Sequence, residues 1–349
     1  MARIDEMRNL LETGTYFKLV CGAGNEDKNE VRRLSFIYTL AGANGFDVSA
    51  SPEVVRACME GIDRAYEVAV GEGITIPVRP FITVSVGMAG DHHVRKAIID
   101  EAKCVECNLC IPVCPTDAIP TELKVITELC IGCGHCSAAC PPRIDAIYYE
   151  HNDKALEDIL PACRAAGAEN VELHAAVAED EQIMREWEIV NRINPDNFVS
   201  MCLDRNHLSN FKLIERIIKA KEIAGDRLII QADGIPMSGV DDDFNTTLQA
   251  IAIADIIRKE FHENTRNRKH KNFYVLLSGG TNSWTAELAA QCKTPYHGLS
   301  LGTHARKIVR NWTRDDGVWE NRDALRQAVS VARDLVSKRE QVMAKYSYA

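Results

Sequence analysis

The segment CVECNLCIPVCPTDAIPTELKVITELCIGCGHCSAACPPRIDAIYYE, residues 104–150, holds eight of the 13 cysteines in this chain of 349 residues. The eight cysteines form two runs with the spacing C-x2-C-x2-C-x3-C-P, and the second run begins 26 residues after the first (130 − 104). An Asp-Ala-Ile triplet follows each run, at 117–119 and at 145–147, as expected of a duplicated half-domain.

This spacing is typical of bacterial ferredoxin domains with two [4Fe–4S] clusters, in which the fourth cysteine of each run binds the other cluster. Thiolate sulfur is a soft ligand that suits iron–sulfur clusters, whereas zinc sites usually present two separate C-x2-C pairs. The pattern therefore predicts two ligand sets. The first cysteine set is Cys104, Cys107, Cys110 and Cys140, and the second cysteine set is Cys114, Cys130, Cys133 and Cys136.

Outside this block, apolar runs that end in glycine or polar residues alternate with helical patterns. Strands are predicted in eight segments: 16–24, 45–50, 79–87, 170–177, 197–204, 227–234, 273–280 and 297–304. Strict alternation of strands and helices predicts a parallel sheet, and eight units favour a closed (β/α)8 barrel. An open, doubly wound sheet is the alternative.

The predicted domain order has four parts. Residues 1–87 form the first part of the barrel with strands one to three, and residues 88–152 form an inserted ferredoxin domain, called the insert below. Residues 153–314 complete the barrel with strands four to eight, and residues 315–349 form a C-terminal helix and tail that we expect to pack outside the barrel. Because barrel active sites form at the carboxyl ends of the strands, an insert after strand three is predicted to lie at the barrel mouth.

The composition excludes several classes of protein. A net charge of −9 gives no basic surface for nucleic acid, and no apolar run is long enough for a membrane span. The first residues lack the apolar core of a secretory signal, so we expect a cytoplasmic protein whose cysteines are ligands or buried thiols rather than disulfides.

Two glycine-containing loops end the last two predicted strands. In phosphate-binding barrels these loops cradle a phosphate, so they are candidate cofactor-binding residues for flavin mononucleotide (FMN) or another phosphate-bearing ligand. The candidates are Gly279, Gly280, Thr281, Asn282, Gly302, Thr303 and Arg306. The alternative is that both loops are ordinary strand-to-helix turns, with Asn282 or Ser283 capping a helix.

Charged residues on the predicted strands are candidates for a pocket that binds a small molecule at the barrel mouth. They are Lys18, Glu172, His174, Asp204, Arg205 and Asp233. Lys18 lies mid-strand; a Schiff base is conceivable, but pairing with an interior carboxylate is favoured. No acid, base or nucleophile is assigned, so the catalytic residues are unknown.

Several segments resemble the light-dependent-period iron–sulfur proteins of cyanobacteria (LdpA). The resemblance is carried by YFKLVCGAG, YTLAGANGFDVSA, the double cysteine motif, QADGIPMSG, LSGGTN and GTHARK. It implies a redox-responsive protein that carries iron–sulfur clusters and relays cellular redox state to the circadian clock. The first cysteine motif of that family is often less regular than the complete one found here.

The sequence thus predicts an iron–sulfur protein that transfers or senses electrons through two clusters and exchanges them with a redox partner protein. The alternative is a flavin-dependent oxidoreductase in which the clusters feed electrons to an FMN on the last two strand loops. A third interpretation is an assembly scaffold in which the clusters only order the insert.

Overall fold

The computed structural model describes residues 2–22, 24–87, 95–120, 124–151, 155–175, 179–205, 208–235, 243–314 and 317–346. The strands are β1 (Tyr16–Gly22), β2 (Gly45–Ser49), β3 (Phe81–Gly87), β4 (Arg95–Ile99), β5 (Ile147–His151), β6 (Asn170–His174), β7 (Val199–Leu203), β8 (Leu228–Asp233), β9 (Tyr274–Ser278) and β10 (Gly298–Leu301). The α-helices are α1 (Arg3–Glu12), α2 (Lys28–Ala41), α3 (Pro52–Glu72), α4 (His135–Ala139), α5 (Leu156–Ala165), α6 (Asp180–Ile193), α7 (Asn210–Ala224), α8 (Asp243–Arg258), α9 (Thr285–Gln291), α10 (Thr303–Thr313), α11 (Gly317–Glu320), α12 (Arg322–Val336) and α13 (Lys338–Tyr346).

Eight of these strands close into a parallel barrel in the order β1-β10-β9-β8-β7-β6-β3-β2, and the predicted (β/α)8 fold is confirmed. Successive strands pair with their neighbours around the ring, and β1 closes the ring against β10 with Lys18 opposite Ser300. A parallel barrel whose strands are covered by helices buries both faces of each strand, which is why the strands read as nearly continuous apolar runs.

The amino-terminal end of the barrel is filled by apolar side chains. Met7 and Leu11 of α1 pack there against Tyr16, Phe81 and Phe198 at the starts of their strands. Because side chains alternate along a strand, the next inward positions lie one layer nearer the mouth. Those positions carry polar residues, among them Lys18, Ser200 and Gln231.

The insert follows β3 and precedes α5, so it leaves and rejoins the barrel on the side where the strands end. Its strands β4 and β5 pair antiparallel, with Ile98 opposite Tyr148, as the apolar segments at 97–100 and 146–149 predict. The predicted boundaries at 87/88, 152/153 and 314/315 adjoin residues outside the described ranges and remain predictions.

The insert contacts the barrel at two places distant from β3. The backbone N–H of Glu26, in the loop between β1 and α2, donates to Glu128 O at 3.0 Å. On α10, Arg310 Nη2 donates to Asp117 Oδ2 at 2.7 Å. The insert therefore extends from the end of β3 across to the loop after β1 and to the helix after β10.

The C-terminal helix α12 packs on the outside of the barrel against α2, as predicted, and Arg333 Nη2 donates to Leu40 O at 2.9 Å. The spacing of six apolar residues predicts the inner face of α12. Val336 is half-buried, and the other five are buried, namely Leu325, Ala328, Val329, Ala332 and Leu335. Within the described ranges, no helix combines the length and the apolar character that crossing a membrane requires.

Candidate functional site

The two cysteine runs adopt the same local backbone conformation. In the second run, Gly132 and Gly134 have positive φ angles of 65° and 90°, and the equivalent positions of the first run, Glu106 and Asn108, have 54° and 62°. The aspartate of each Asp-Ala-Ile triplet also has a left-handed backbone conformation, with φ angles of 54° at Asp117 and 44° at Asp145. Left-handed residues other than glycine are uncommon, so the shared pattern indicates a repeated structural unit.

A small core lies between the two halves of the insert. Ala118 and Ile119 from the first half and Ile147 from the second are buried there together with Ala97 of β4. Three cysteines belong to the same core: Cys110, Cys130 and Cys136. These three thiols therefore face the interior of the insert rather than a disulfide partner.

A cavity in the insert brings one cysteine of the first run to three cysteines of the second. It is lined by Cys114, Cys130, Cys133 and Cys136, with Ala118 and Tyr149 among its other walls. These four cysteines are the predicted second cysteine set, although Cys114 is distant from the others in sequence. In the first cysteine set, Cys110 is buried and Cys107 is exposed.

The thiols of the insert lie among backbone N–H donors. Ala118 N–H donates to Cys114 Sγ at 3.2 Å, and Ala97 N–H donates to Cys130 Sγ at 3.4 Å. Burial raises the pKa of Cys110, Cys133 and Cys136, so these thiols hold their protons until a metal displaces them.

All 13 cysteines lie in the described ranges, and all are free thiols. In these ranges, no three His, Cys, Asp or Glu side chains converge on one point that could hold a single metal ion.

Two basic side chains of β4 lie against the second cysteine run, and sequence reasoning missed both. Lys96 is 6% exposed, and its Nζ donates to Cys130 O at 2.7 Å and to Gly24 O of the barrel at 2.6 Å. Arg95 Nε donates to Gly132 O at 3.1 Å. Their partners are backbone carbonyls, which no side-chain pattern reveals.

Arg95 also covers an aromatic ring beside the cysteines. Its guanidinium carbon lies 3.9 Å from the centroid of Tyr149, a cation–π distance. The Tyr149 hydroxyl lies 3.9 Å from Cys136 Sγ, and burial together with this cysteine raises the pKa of Tyr149 to about 12. A Cβ atom at Gly134 would lie 3.3 Å from Arg95 Nη2, so the glycine leaves room for the guanidinium.

Inside the barrel, Lys18 pairs with two carboxylates, as the sequence favours. Lys18 Nζ lies 2.8 Å from Asp47 Oδ2 and 2.5 Å from Glu172 Oε2. The ammonium is 2% exposed; burial alone would lower its pKa, but the two carboxylates raise it well above its usual value. Lys18 is therefore a charged structural residue and not a neutral amine ready to form a Schiff base.

Hydroxyl groups and a histidine complete the pairing of the two carboxylates. Ser85 Oγ donates to Asp47 Oδ1, and Ser200 Oγ donates to Glu172 Oε2 at 2.9 Å. His174 Nε2 lies 3.5 Å from Glu172 Oε1. Burial and the neighbouring charge of Asp47 raise the pKa of Glu172, because one ammonium serves two acids.

The other predicted pocket residues lie nearer the mouth and only partly converge. Burial and the Asp233 carboxylate, to which the thiol is hydrogen-bonded, raise the pKa of Cys202. Asp204 is buried, whereas Arg205 is exposed and does not join this group. Gln231 and Ser300 are 0% and 1% exposed, and within the described ranges neither the Gln231 amide nor the Ser300 hydroxyl has a hydrogen-bond partner.

The loop after β9 is held by its own side chains. Thr281 Oγ1 donates to Ser300 O at 2.6 Å, and Asn282 Oδ1 accepts from Trp284 N–H at 2.9 Å in the turn that leads into α9. A Cβ atom at Gly279 would lie 2.0 Å from Asp233 Oδ1, and one at Gly280 would lie 2.3 Å from Ile235 O. These contacts describe a strand-to-helix turn, and the phosphate cradle stays a prediction.

The loop after β10 leads directly into α10. Thr303 is exposed at the first turn of the helix, and Arg306 N–H donates to Gly302 O at 3.0 Å. Arg306 lies beside the end of β1, where a Cβ atom at Gly22 would be 4.0 Å from its Nη1. None of these contacts tests the prediction of FMN. Residues 236–239 of the segment QADGIPMSG lie outside the described ranges.

Comparison with known proteins gives two family matches. Residues 163–338 match the family model described as the light dependent period A C-terminal domain, and residues 102–150 match the one described as the LdpA Fe-S cluster-binding domain. The protein "Light dependent period A" of Synechococcus elongatus is 32% identical over 309 residues, which are 85% of this chain and 81% of that protein.

Two further comparisons give one partial sequence match and one structural superposition. Pyruvate synthase subunit PorD of Methanothermobacter marburgensis is 36% identical over 54 residues, 16% of this chain and 67% of that subunit. A truncated form of 3-deoxy-D-arabino-heptulosonate 7-phosphate synthase from Thermotoga maritima superimposes with a TM-score of 0.45 at 12% identity, covering 95% of this chain and 88% of that one.

Proposed function

The chain belongs to the light dependent period A family, whose insert is an iron–sulfur cluster-binding domain, and from that premise we propose that it transfers or senses electrons through two [4Fe–4S] clusters. Each cluster, when bound, takes up or releases one electron. The chain's own residues would hold the two clusters in the insert beside the barrel mouth, with the second cysteine set more buried than the first.

The single observation that carries this proposal is the cavity lined by the second cysteine set. Cys114 reaches the cavity from the other half of the repeat, beside Cys130, Cys133 and Cys136. This arrangement supports the crossed ligation expected when the fourth cysteine of each run binds the other cluster. By the same repeat, Cys140 completes the first cysteine set.

The surface of the first run supports an exchange of electrons with another protein. Cys107 is exposed, and its neighbours Val105 and Leu109 are 61% and 49% exposed. A cluster close to the surface shortens the path to a redox partner, and apolar side chains around it suit a transient protein contact. We propose that electrons enter through the first cysteine set.

The barrel supplies a rigid base and a candidate site for a small polar ligand. Gln231 and Ser300 are buried in the barrel interior without a partner in the described ranges. Buried polar groups are normally satisfied, so an ordered water or a small ligand is expected to bind them. This part of the proposal names no substrate and no reaction.

The test is the metal content and the spectroscopy of the anaerobically purified full chain. Two cubes require about eight iron atoms and eight sulfides per chain, and reduction is expected to give two interacting paramagnetic centres. Four iron atoms, or zinc in their place, would contradict the proposal. A cluster spectrum that resists reduction would favour a purely structural role.

Cysteine-to-serine variants test the crossed ligation. Cys114→Ser is expected to alter the same centre as Cys133→Ser, and Cys140→Ser the same centre as Cys107→Ser. Cys292→Ser is the control, because this cysteine is exposed and lies outside the insert. If Cys114→Ser and Cys107→Ser altered the same centre instead, each run would bind its own cluster.

A further inference from the structure

The two cysteine sets have different electrostatic surroundings, although their backbones are the same. On the second run, Lys96 donates to Cys130 O and Arg95 donates to Gly132 O. On the first run, Lys103 is the basic residue next to Cys104; its side chain is 59% exposed and lies 3.6 Å from the carboxylate of Asp100. The repeat is therefore symmetric in backbone and asymmetric in charge.

A buried cation acts on a nearby cluster more strongly than an exposed one. Lys96 is 6% exposed, so water and salt screen its charge little. Lys103 is open to solvent and has a carboxylate beside it, so its field is mostly cancelled. Reduction adds one negative charge to a cluster, and a fixed positive charge close by stabilises the reduced form.

Burial of the second cysteine set acts in the opposite direction. A cluster shielded from water is harder to charge, which lowers its reduction potential. The hydrogen bonds from Ala118 N–H to Cys114 Sγ and from Ala97 N–H to Cys130 Sγ favour the reduced cluster and offset this cost. The positive charges of Lys96 and Arg95 also favour the reduced cluster and so raise its reduction potential.

We propose that the two clusters are unequal and that Lys96, assisted by Arg95, makes the cluster of the second cysteine set the electron sink. The inference rests on the two-cluster proposal above. A one-electron carrier protein reduces the cluster of the first set; that cluster is reoxidised as the same electron passes to the second, and no proton or bond is exchanged. Lys96 is a positioning residue: by donating to the carbonyl of Cys130, it holds a positive charge beside the second cysteine set.

Lys96 also joins the electron sink to the barrel. The same Nζ that donates to Cys130 O donates to Gly24 O in the loop after β1, at 2.6 Å. A change of charge on the second cluster therefore acts on a group that the barrel holds in place. This arrangement keeps the cation fixed during electron transfer, so little reorganisation accompanies the step.

The test is a potentiometric titration of the full chain, followed by electron paramagnetic resonance. The wild-type protein is expected to show two separate reduction waves. In Lys96→Met the higher wave alone is expected to move to lower potential, with the ratio of reduced to oxidised cluster falling about tenfold at a fixed potential, which is about 59 mV for one electron. Lys96→Arg keeps the charge and is expected to leave that wave near its wild-type position.

Lys103→Met is the matched control, because it removes a lysine of the same insert next to a cysteine of the first set. Both waves are expected to remain in place. The proposal is overturned if Lys96→Met moves neither wave or only the lower one, or if Lys103→Met moves the higher wave as far. Iron analysis of each variant accompanies the titration.

A second variant guards against loss of folding in Lys96→Met. Arg95→Gln removes a charge that lies against the same cysteine run but leaves both hydrogen bonds of Lys96. It is expected to move the same wave to lower potential. If Lys96→Met binds no iron, Arg95→Gln decides by the same criterion. Four iron atoms in the wild-type chain would contradict the two-cluster proposal itself, whereas eight iron atoms with unmoved waves would contradict only the role of Lys96 and Arg95.

Discussion

Removal of the Lys18 side chain is expected to destabilise the barrel. Its single ammonium pairs with both Asp47 and Glu172, and all three side chains are nearly inaccessible to solvent. Breaking a buried ion pair by removing one partner leaves an uncompensated charge and typically costs about 3–5 kcal/mol. Lys18→Met is therefore expected to lower the free energy of unfolding by about that amount, measured by urea denaturation with the clusters intact.

Two comparison variants distinguish the loss of the Lys18 charge from the loss of its packing. Lys28→Met breaks an exposed pair with Glu53 and is expected to leave the urea midpoint unchanged. Adding Asp47→Asn and Glu172→Gln to Lys18→Met removes the stranded charges and should recover part of the loss. A Lys18→Met protein as stable as the wild type would mean that water or another group compensates the two acids.

At this scale the sequence names candidate ligands, but it does not name the charged residues that lie beside them. The cysteine spacing is enough to name both cysteine sets, because a cluster needs thiolates at fixed intervals along the chain. The mid-strand position of Lys18 predicts a carboxylate partner but does not distinguish Asp47 from Glu172. Lys96 could not be predicted, because its acceptors at Gly24 and Cys130 are carbonyls far from it in sequence.

Two glycines of helix α3 should respond oppositely to the same substitution. A Cβ atom at Gly61 would lie 2.0 Å from Ser35 Oγ and 2.3 Å from Arg32 O, because α2 packs closely there. A Cβ atom at Gly71 meets nothing within 4 Å. Gly61→Ala is expected to destabilise the protein by about 1–3 kcal/mol through overpacking, whereas Gly71→Ala should stabilise it by about 0.4–1 kcal/mol.

Thermal or urea unfolding of the two single variants checks this prediction. The two substitutions share one helix and one added methyl group, so helix propensity acts equally on both. If Gly61→Ala were as stable as Gly71→Ala, α2 and α3 would have to separate without loss of packing. That result would contradict the tight contact between these two helices.

Element types were predictable, and their ends less so. The apolar runs at 16–24 and 79–87 became β1 (Tyr16–Gly22) and β3 (Phe81–Gly87), because buried parallel strands need little more than apolar length. The helical pattern of the sequence extends from about Asn245 to Phe261, whereas α8 ends at Arg258 and a π-helix follows at Lys259–Glu263. Phe261 packs edge to face against Phe273, just before β9, and local sequence does not reveal this contact.

For the whole molecule, the count of eight strand–helix units was enough to predict closure, and the position of the insert after strand three predicted the side of the barrel on which it lies. Its individual contacts with the barrel were not predictable. The insert leaves after β3 and rests on the loop after β1 and on α10. These contacts join Glu26 to Glu128 and Arg310 to Asp117. A third contact joins Lys96 Nζ to Gly24 O. Since these contacts are hydrogen bonds to backbone carbonyls and an exposed ion pair, no strong apolar pattern in the sequence marks them.

Removal of the clusters should unfold the insert and leave the barrel folded. Three of the seven residues in the core of the insert are cysteines, so without metal this core has few apolar side chains left to hold β4 against β5. The barrel has its own extensive core, which includes none of the residues that the structure describes in the insert. After anaerobic chelation, hydrogen exchange is expected to become fast at 95–120 and 124–151 and to remain slow in the barrel strands.

One amide of the barrel should report this loss. The N–H of Glu26 donates to Glu128 O, so its exchange is expected to accelerate with the insert, whereas the N–H of Val31, bonded to Asp27 O at the start of α2, should stay protected. Slow exchange at Glu26 after chelation, or fast exchange throughout β6 to β9, would contradict the prediction that the insert unfolds while the barrel stays folded. Fast exchange at Glu26 alone would mean that the barrel mouth responds to the state of the clusters, which is what a redox sensor built on this fold requires.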